Sequence, residues 1–301
     1  MEARSSSSAA NSETVLKTRV NFLIGGAMKA GTSSVGDLLN QMEGIYCFDE
    51  GYELHFFGKD KFYRKGIDWY HSHFTDHGEA LIGEKSISYL SSPDAAERIR
   101  QYNPAMKLVF ILRNPVDRAY SHYQYCVQMG TEFLPFAQAL RAEGLRQKLG
   151  GFFATNYSYQ QRGLYYEQLM RYYSLFPEEQ IHVMIFEKFK DRPNESMSAL
   201  CDFLGVPFGG VKLQSKTLNA TRVPRVVLAP FPFTMYRKYA RRILKAPWLD
   251  KMVKSLEDKM YREGRYPPMD VKVRKRLLDY FAESNAGVAE LLGRDLGIWD
   301  K

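Results

Sequence analysis

The chain has 301 residues, 45% hydrophobic and 25% charged, an ordinary globular balance long enough to bury a full core without covalent staples. Its three cysteines, Cys47, Cys126 and Cys201, are odd in number and widely spaced, which argues against a disulfide framework or a zinc motif and for a reducing compartment. The net charge of +8 favours anionic partners by long-range attraction; nucleic acid, a phosphorylated small molecule, a polyanionic sugar, an acidic carrier protein or a plain solvated surface would each account for it.

Residues 1–18 are rich in Ser, Ala and Asn and read as a disordered tail. They lack the basic-then-apolar build of a signal peptide. No apolar stretch reaches the length of a membrane span. The expectation is a cytoplasmic protein with one domain over 19–301.

Three apolar runs predict buried parallel strands: Val20 to Ile24, Lys107 to Leu112 and Ile181 to Phe186. Helical patterns follow them. Thr32 to Met42 carries Val35, Leu38, Leu39 and Met42 on one face. Pro115 to Met129 opens on Asn114 and Pro115, a cap and first-turn pair. Tyr159 to Leu175 and Asn194 to Leu204 are also helical in spacing, the latter ending before Gly205. Strands alternating with helices predict an α/β fold with a central, largely parallel sheet. Residues 222–262 read as a basic helical segment with Arg237, Lys238, Arg241, Arg242 and Lys245 clustered in it, either a solvated face or a lid. Val271 to Leu292 is an amphipathic helix or helix pair, and the C-terminal helices are expected to pack on the sheet or over the site.

The strongest local feature runs from Phe22 to Ser34. A buried strand ends in Gly25-Gly26, then come Lys29, Gly31-Thr32-Ser33-Ser34 and a helix. Glycine admits an anion close to the backbone, and a helix start offers free N–H groups and the positive dipole end. Lys29 adds a full charge; Thr32, Ser33 and Ser34 add hydroxyls. This is a phosphate cradle. In the usual nucleoside-triphosphate loop the lysine follows the second glycine and directly precedes Ser or Thr. Here Lys29 precedes Gly31, which disfavours a kinase or NTPase.

Gly26 to Thr32 resembles the 5′-phosphosulfate loop of sulfotransferases that use PAPS (3′-phosphoadenosine 5′-phosphosulfate). Lys107 to Tyr123 resembles that family's 3′-phosphate block, with Arg113 and Ser121 in the matching places. Tyr52-Glu-Leu-His-Phe-Phe57, Lys65-Gly-Ile-Asp-Trp-Tyr70 and Gly83-Glu-Lys-Ser-Ile-Ser-Tyr89 are similar to heparan sulfate N- and 3-O-sulfotransferases, and Phe281 to Trp299 to bacterial sulfotransferase-domain proteins. The chain departs from the heparan enzymes in showing no anchor and no cysteine pair near the loop. The stretch Ser215 to Arg225 lacks their Lys-Gly-Arg and leaves Lys216, Asn219 and Arg222 as further donor-site candidates.

The resemblance implies a P-loop-like fold and in-line sulfuryl transfer from PAPS, releasing PAP, with no metal. It places Lys29 on the leaving-group oxygen and Ala30, Gly31, Thr32, Ser33 and Ser34 around the 5′-phosphate. Glu53 matches the general base of the heparan enzymes, and His55 is the rival base, since cytosolic relatives use histidine. Lys85 matches a lysine that contacts the transferred group or acceptor; Glu84 beside it is read either as part of the site or as a partner in a surface ion pair. Tyr157 matches an acceptor-stacking aromatic or is a core tyrosine. The expected acceptor is a small-molecule natural product with a hydroxyl or amine, a saccharide and a carrier-bound acyl chain being alternatives; no nucleic-acid partner is expected. The competing classes are a P-loop kinase or NTPase and a non-catalytic polyanion- or carrier-binding module.

Overall fold

The computed structural model describes residues 20–74, 81–209, 222–224, 236, 247–263 and 266–300. They divide into two compact units, one of residues 1–114 and 165–214, the other of residues 115–164 and 215–301.

The first unit is a five-stranded parallel sheet with helices between its strands. Its strands are β1 (Phe22–Gly26), β2 (Ile45–Phe48), β3 (Leu81–Lys85), β4 (Lys107–Leu112) and β5 (Ile181–Ile185), in the order β2-β3-β1-β4-β5. The three predicted strands are present, with the first displaced two residues toward Gly26. All five strands run parallel, so their C-terminal ends lie on one edge. The chain first builds to one side of β1 and then to the other, and such a reversal is where open α/β sheets place their ligands.

The central strands are buried along their length: Phe22, Leu23 and Ile24 on β1 and Leu108 to Leu112 on β4 are 0% exposed. Each such side chain contributes roughly 1.5–3 kcal/mol through burial. Strand β3 holds only two large apolar residues, Leu81 and Ile82. Gly83 is required there because a Cβ would stand 2.1 Å from the Phe22 ring. Helix α1 (Thr32–Leu39) returns the chain from β1, burying Val35, Leu38 and Leu39. After β5 comes a helix over Pro193–Leu204, whose last carbonyls, on Phe203 and Leu204, accept from the Lys107 ammonium at 2.9 and 2.8 Å. A cation at that end also answers the helix dipole.

The second unit is mainly helical. Its helices include α2 (Pro115–Gln128), α3 (Phe136–Leu149) and a 22-residue α4 (Val271–Leu292). The last is one helix, capped by Asp270, whose Oδ1 accepts from the Val273 N–H at 3.0 Å, and closed by Gly293 in the left-handed region at φ 56°. Leu277 and Phe281 of α4 pack with Val116, Ala119 and Tyr123 of α2 and Phe136 of α3.

Two expectations need correction. The helix expected over 159–175 begins only at Tyr165. The backbone N–H groups of Gln160 and Gln161 donate instead to the buried Glu143 carboxylate, and a 3-10 turn spans Gln161–Gly163. The segment expected to be helical over 222–262 is helical over Pro247–Met260, but Arg222–Pro224 and Tyr261–Glu263 are antiparallel strands paired with each other. Its basic cluster, 237–245, lies outside the described residues. The three cysteines are free and buried.

Candidate functional site

In the first unit, strand ends on the C-terminal edge of the sheet bring together the residues that the sequence singles out. The β1–α1 loop is the centre. The Ala27 N–H donates to the Ile111 carbonyl at 2.8 Å, holding the loop to β4. Gly31 precedes α1 at φ 89°, a conformation glycine adopts without steric cost. A Cβ at Gly31 would meet the Phe186 ring at 3.0 Å, so bulk is excluded there as well. Lys29 is also left-handed, at φ 69°. A non-glycine residue there costs roughly 1–2 kcal/mol and is held by its surroundings. One such hold is Arg113, whose guanidinium donates to the Lys29 carbonyl at 3.1 Å and lies 5.0 Å from the Phe186 ring centroid. The Arg113 carbonyl in turn accepts from the Tyr165 hydroxyl at 3.0 Å.

Helix α1 begins with no side-chain cap and no acidic residue in its first turn. Its opening N–H groups have no intrahelical acceptor, so this end suits an anion. Thr32 is buried at 4% exposure, and the Ser33 hydroxyl accepts from the Lys85 ammonium at 3.2 Å. Lys85 leaves the end of β3 and is itself 8% exposed. It also stands 3.9 Å from the Asp49 carboxylate beyond β2.

Glu53 and His55 lie on the segment after β2. The Glu53 carboxylate accepts the Ile87 N–H at 3.0 Å, which ties it to the chain leaving β3. The His55 Nδ1 is 3.6 Å from Glu53 Oε2 and within hydrogen-bond distance of the Ser86 and Ser88 hydroxyls, at 3.1 and 2.9 Å. His55 is the second non-glycine residue in the left-handed region, at φ 53°. Both strained residues among those described therefore sit at this edge.

Glu84 is not part of a surface ion pair. It is 0% exposed, and its two oxygens accept from the Tyr70 hydroxyl at 2.6 Å and the Tyr89 hydroxyl at 2.7 Å. Burial pushes its carboxyl up to about 7; the two tyrosine hydrogen bonds oppose the rise and the charge of Glu53 adds to it. Strand β3 is buried on both faces from Ile82 to Lys85, so this carboxylate lies inside, and the Tyr70 and Tyr89 hydroxyls make the position tolerable.

Of the remaining predicted residues, three belong to the second unit and two are not described. Ser121 is half-buried on α2, in the second unit. Tyr157 is 4% exposed in the aromatic core of that unit, its hydroxyl donating to the Thr131 carbonyl at 2.6 Å and its ring 4.2 Å from the Arg146 guanidinium. Lys216 and Asn219 fall outside the described residues; Arg222 opens the short strand named above. Sequence reasoning missed Asp49, Ser86 and Ser88. The apolar run Ile45 to Phe48 was the available signal for the first, since a polar residue directly after a buried strand lies on the ligand edge.

Comparison with known proteins identifies the family. The sulfotransferase domain family matches residues 20–224. Heparan sulfate glucosamine 3-O-sulfotransferase 5 of Homo sapiens is 28% identical over 206 residues, covering 66% of this chain and 57% of that protein. Bifunctional heparan sulfate N-deacetylase/N-sulfotransferase 2 of Homo sapiens is 28% identical over 299 residues, covering 91% of this chain and 29% of that protein. The chain thus spans only part of the length of these curated relatives. A sulfotransferase crystal structure from Alicyclobacillus acidocaldarius is 28% identical with a TM-score of 0.70, covering 94% of this chain and 99% of that one. The chain belongs to the sulfotransferase-domain family.

Proposed function

We propose that this member of the sulfotransferase-domain family moves the sulfuryl group of PAPS onto a hydroxyl or amine of a small-molecule natural product in the cytoplasm. The observation that carries the reading is one arrangement within the first unit. An uncapped helix start follows the strained Lys29, with the Arg113 guanidinium bonded to the loop and Glu53 anchored at the neighbouring strand edge.

These residues fit an anionic nucleotide donor. The first turn of α1 holds no acidic residue, Lys85 and Arg113 bring two cations to its surroundings, and Lys29 lies on the loop that leads into it. Bound there, PAPS supplies a sulfuryl group whose S–O bond to the 5′-phosphate breaks as a bond from sulfur to the acceptor oxygen or nitrogen forms. With PAPS bound, the N–H groups of Gly31 to Ser34 and the Thr32 hydroxyl would hold the 5′-phosphate, with Ala30 shaping the loop through its bond to the Ala27 carbonyl, and Arg113 would take the 3′-phosphate. Lys29 neutralises charge that gathers on the leaving oxygen, a preorganised interaction worth about 10²–10³ in rate. Lys85, fixed on Ser33, adds positive charge from the β3 side. Glu53 accepts the acceptor's proton, and its bond from Ile87 fixes the direction of the carboxylate. His55, held by two serine hydroxyls, stands beside that carboxylate and orients it.

Thermal-shift measurements with PAP and with ATP plus Mg²⁺ test the donor. Stabilisation by PAP is expected; stabilisation by ATP plus Mg²⁺ alone sinks the proposal in favour of a kinase. Lys29→Ala should abolish sulfate transfer from labelled PAPS. Glu53→Gln should lower turnover by about 10²–10⁴ with PAP affinity nearly unchanged. A mild Glu53→Gln with a severe His55→Ala would move the base to His55.

A further inference from the structure

A row of aromatic rings begins at His55, beside the candidate base Glu53, and leads away from it. His55 stacks on Phe62 with ring centroids 6.4 Å apart and planes 29° from parallel. Phe62 stacks on Trp69 at 5.8 Å and 11°, and Trp69 meets His73 edge-on at 4.5 Å. Other rings of the same segment are sealed in the core: Phe56, Phe57 and Tyr70 are no more than 2% exposed. Phe62 and Trp69 are only partly covered. They are carried by two helices of four and five residues, Asp60–Tyr63 and Ile67–His71.

Two ammonium groups stand over this pair. Lys61 Nζ is 4.6 Å from the Phe62 centroid, and Lys65 Nζ is 4.2 Å from the Trp69 centroid and 5.4 Å from that of Phe62. Attraction to the ring faces, about 0.5–1 kcal/mol at exposed positions, favours these lysine positions and offsets part of the side-chain entropy lost on binding a ligand. Among the described residues no carboxylate forms an ion pair with either lysine. Of the nearby acids, Asp60 is bonded instead to Arg98 at 2.5 Å, and Asp68, exposed beside Trp69, lies beyond ion-pair distance of both lysines. Two cations without an ion-pair partner among the described residues, on partly buried rings, make a place for an anion carried by an apolar or ring-shaped body.

We propose that Phe62 and Trp69, with Lys61 and Lys65, form the acceptor subsite and select a cyclic acceptor that bears a carboxylate. The inference rests on the transfer reading above and names the class of its acceptor. The ring of such an acceptor lies along the aromatic row with its hydroxyl or amine toward Glu53. Its carboxylate lies toward the two lysines. A neutral acceptor of the same shape would have to desolvate those cations without pairing them, and loses affinity for that reason.

A carboxylate ring can come from an aryl acid or from a uronic acid sugar, and the test separates them. The full chain is saturated with PAP, and binding is followed by tryptophan fluorescence and calorimetry. One probe pair is 4-hydroxyphenylacetate and its neutral amide; the other is a uronate-terminated disaccharide and its methyl ester. In at least one pair the carboxylate should bind about ten-fold tighter, equivalent to about 1.4 kcal/mol. That pair identifies the source. The gap should close to within about two-fold in Lys61→Gln/Lys65→Gln, whose two positions are exposed and leave the fold intact. Trp69→Leu should weaken both members of the selected pair. The proposal is overturned by no carboxylate preference in either pair, by no binding of any probe, or by a gap that survives the double lysine substitution. PAP affinity, measured in the same samples, keeps the two readings apart: it stays constant across these variants if only the acceptor proposal fails, and is missing in the unsubstituted chain if the transfer reading fails.

Discussion

Each of the two units sinks a carboxylate completely out of water, and the two are driven in opposite directions. Glu84, on β3 of the first unit, has two tyrosine hydroxyls for company and no bonded cation, and burial lifts it to about 7. Glu132, in the second unit, is also 0% exposed. Burial would raise it too, but Arg146 grips both its oxygens at 2.5 and 2.9 Å, the Leu134 N–H donates to it, and so does the Tyr159 hydroxyl. Together these hold it below the usual carboxylate range. The difference is one bidentate guanidinium. An ionised carboxylate with a cation is structural. A carboxylate buried with neutral donors can lose its charge near neutrality, and Glu84 does so immediately before Lys85 at the ligand edge.

The largest expected effect follows from breaking the charged pair. Glu132→Gln should destabilise the chain by about 3–5 kcal/mol in urea unfolding, because it leaves Arg146 uncompensated where it is only 14% exposed. Glu132→Gln/Arg146→Met should recover part of the loss. A cost below about 1 kcal/mol for the single substitution would mean that this pair behaves as a surface ion pair.

A smaller effect should come from Glu84→Gln, and it is one of pH dependence. The Glu84 carboxyl binds its proton more tightly folded than unfolded, rising from 4.5 to about 7. Stability from this group is therefore fully present below pH 4.5 and is lost as the pH rises through 7. Relative to Glu84→Gln, the unsubstituted chain should gain stability on going from pH 8 to pH 5, on the order of 3 kcal/mol at most. Denaturant unfolding of both proteins at the two pH values measures this. A constant difference would show that Glu84 stays ionised and would erase the contrast with Glu132.

Tyr70→Phe should have the smallest effect, about 1–2 kcal/mol of stability. It removes a donor to the charged form of Glu84, so the pH window of Glu84 should move upward, and the same unfolding series detects it. A downward shift would mean that Tyr70 favours the neutral carboxyl.

How much of this was legible in the sequence depended on the distance over which each feature is decided. Strands β1, β4 and β5 are continuous apolar runs and were readable. Strand β3 was not. Gly83 and Glu84 break its pattern, the glycine because the Phe22 ring needs its space and the glutamate because Tyr70 and Tyr89 reach it from elsewhere. The helix from 159 was read too long because Glu143, remote in the chain, captures the N–H groups that would have begun it.

The candidate phosphate loop was legible within the single segment Phe22 to Ser34. Strand, glycines, Lys29 and helix start act on one another through backbone geometry, so their spacing alone points to an anion cradle. The pairings of Lys85 with Ser33 and of Glu53 with Ile87, and the row from His55 to Trp69, were decided only by the tertiary structure. So was the protonation of Glu84 and Glu132. The sequence names two glutamates alike; desolvation and the nearest cation belong to their surroundings, and these exist only once the chain has folded.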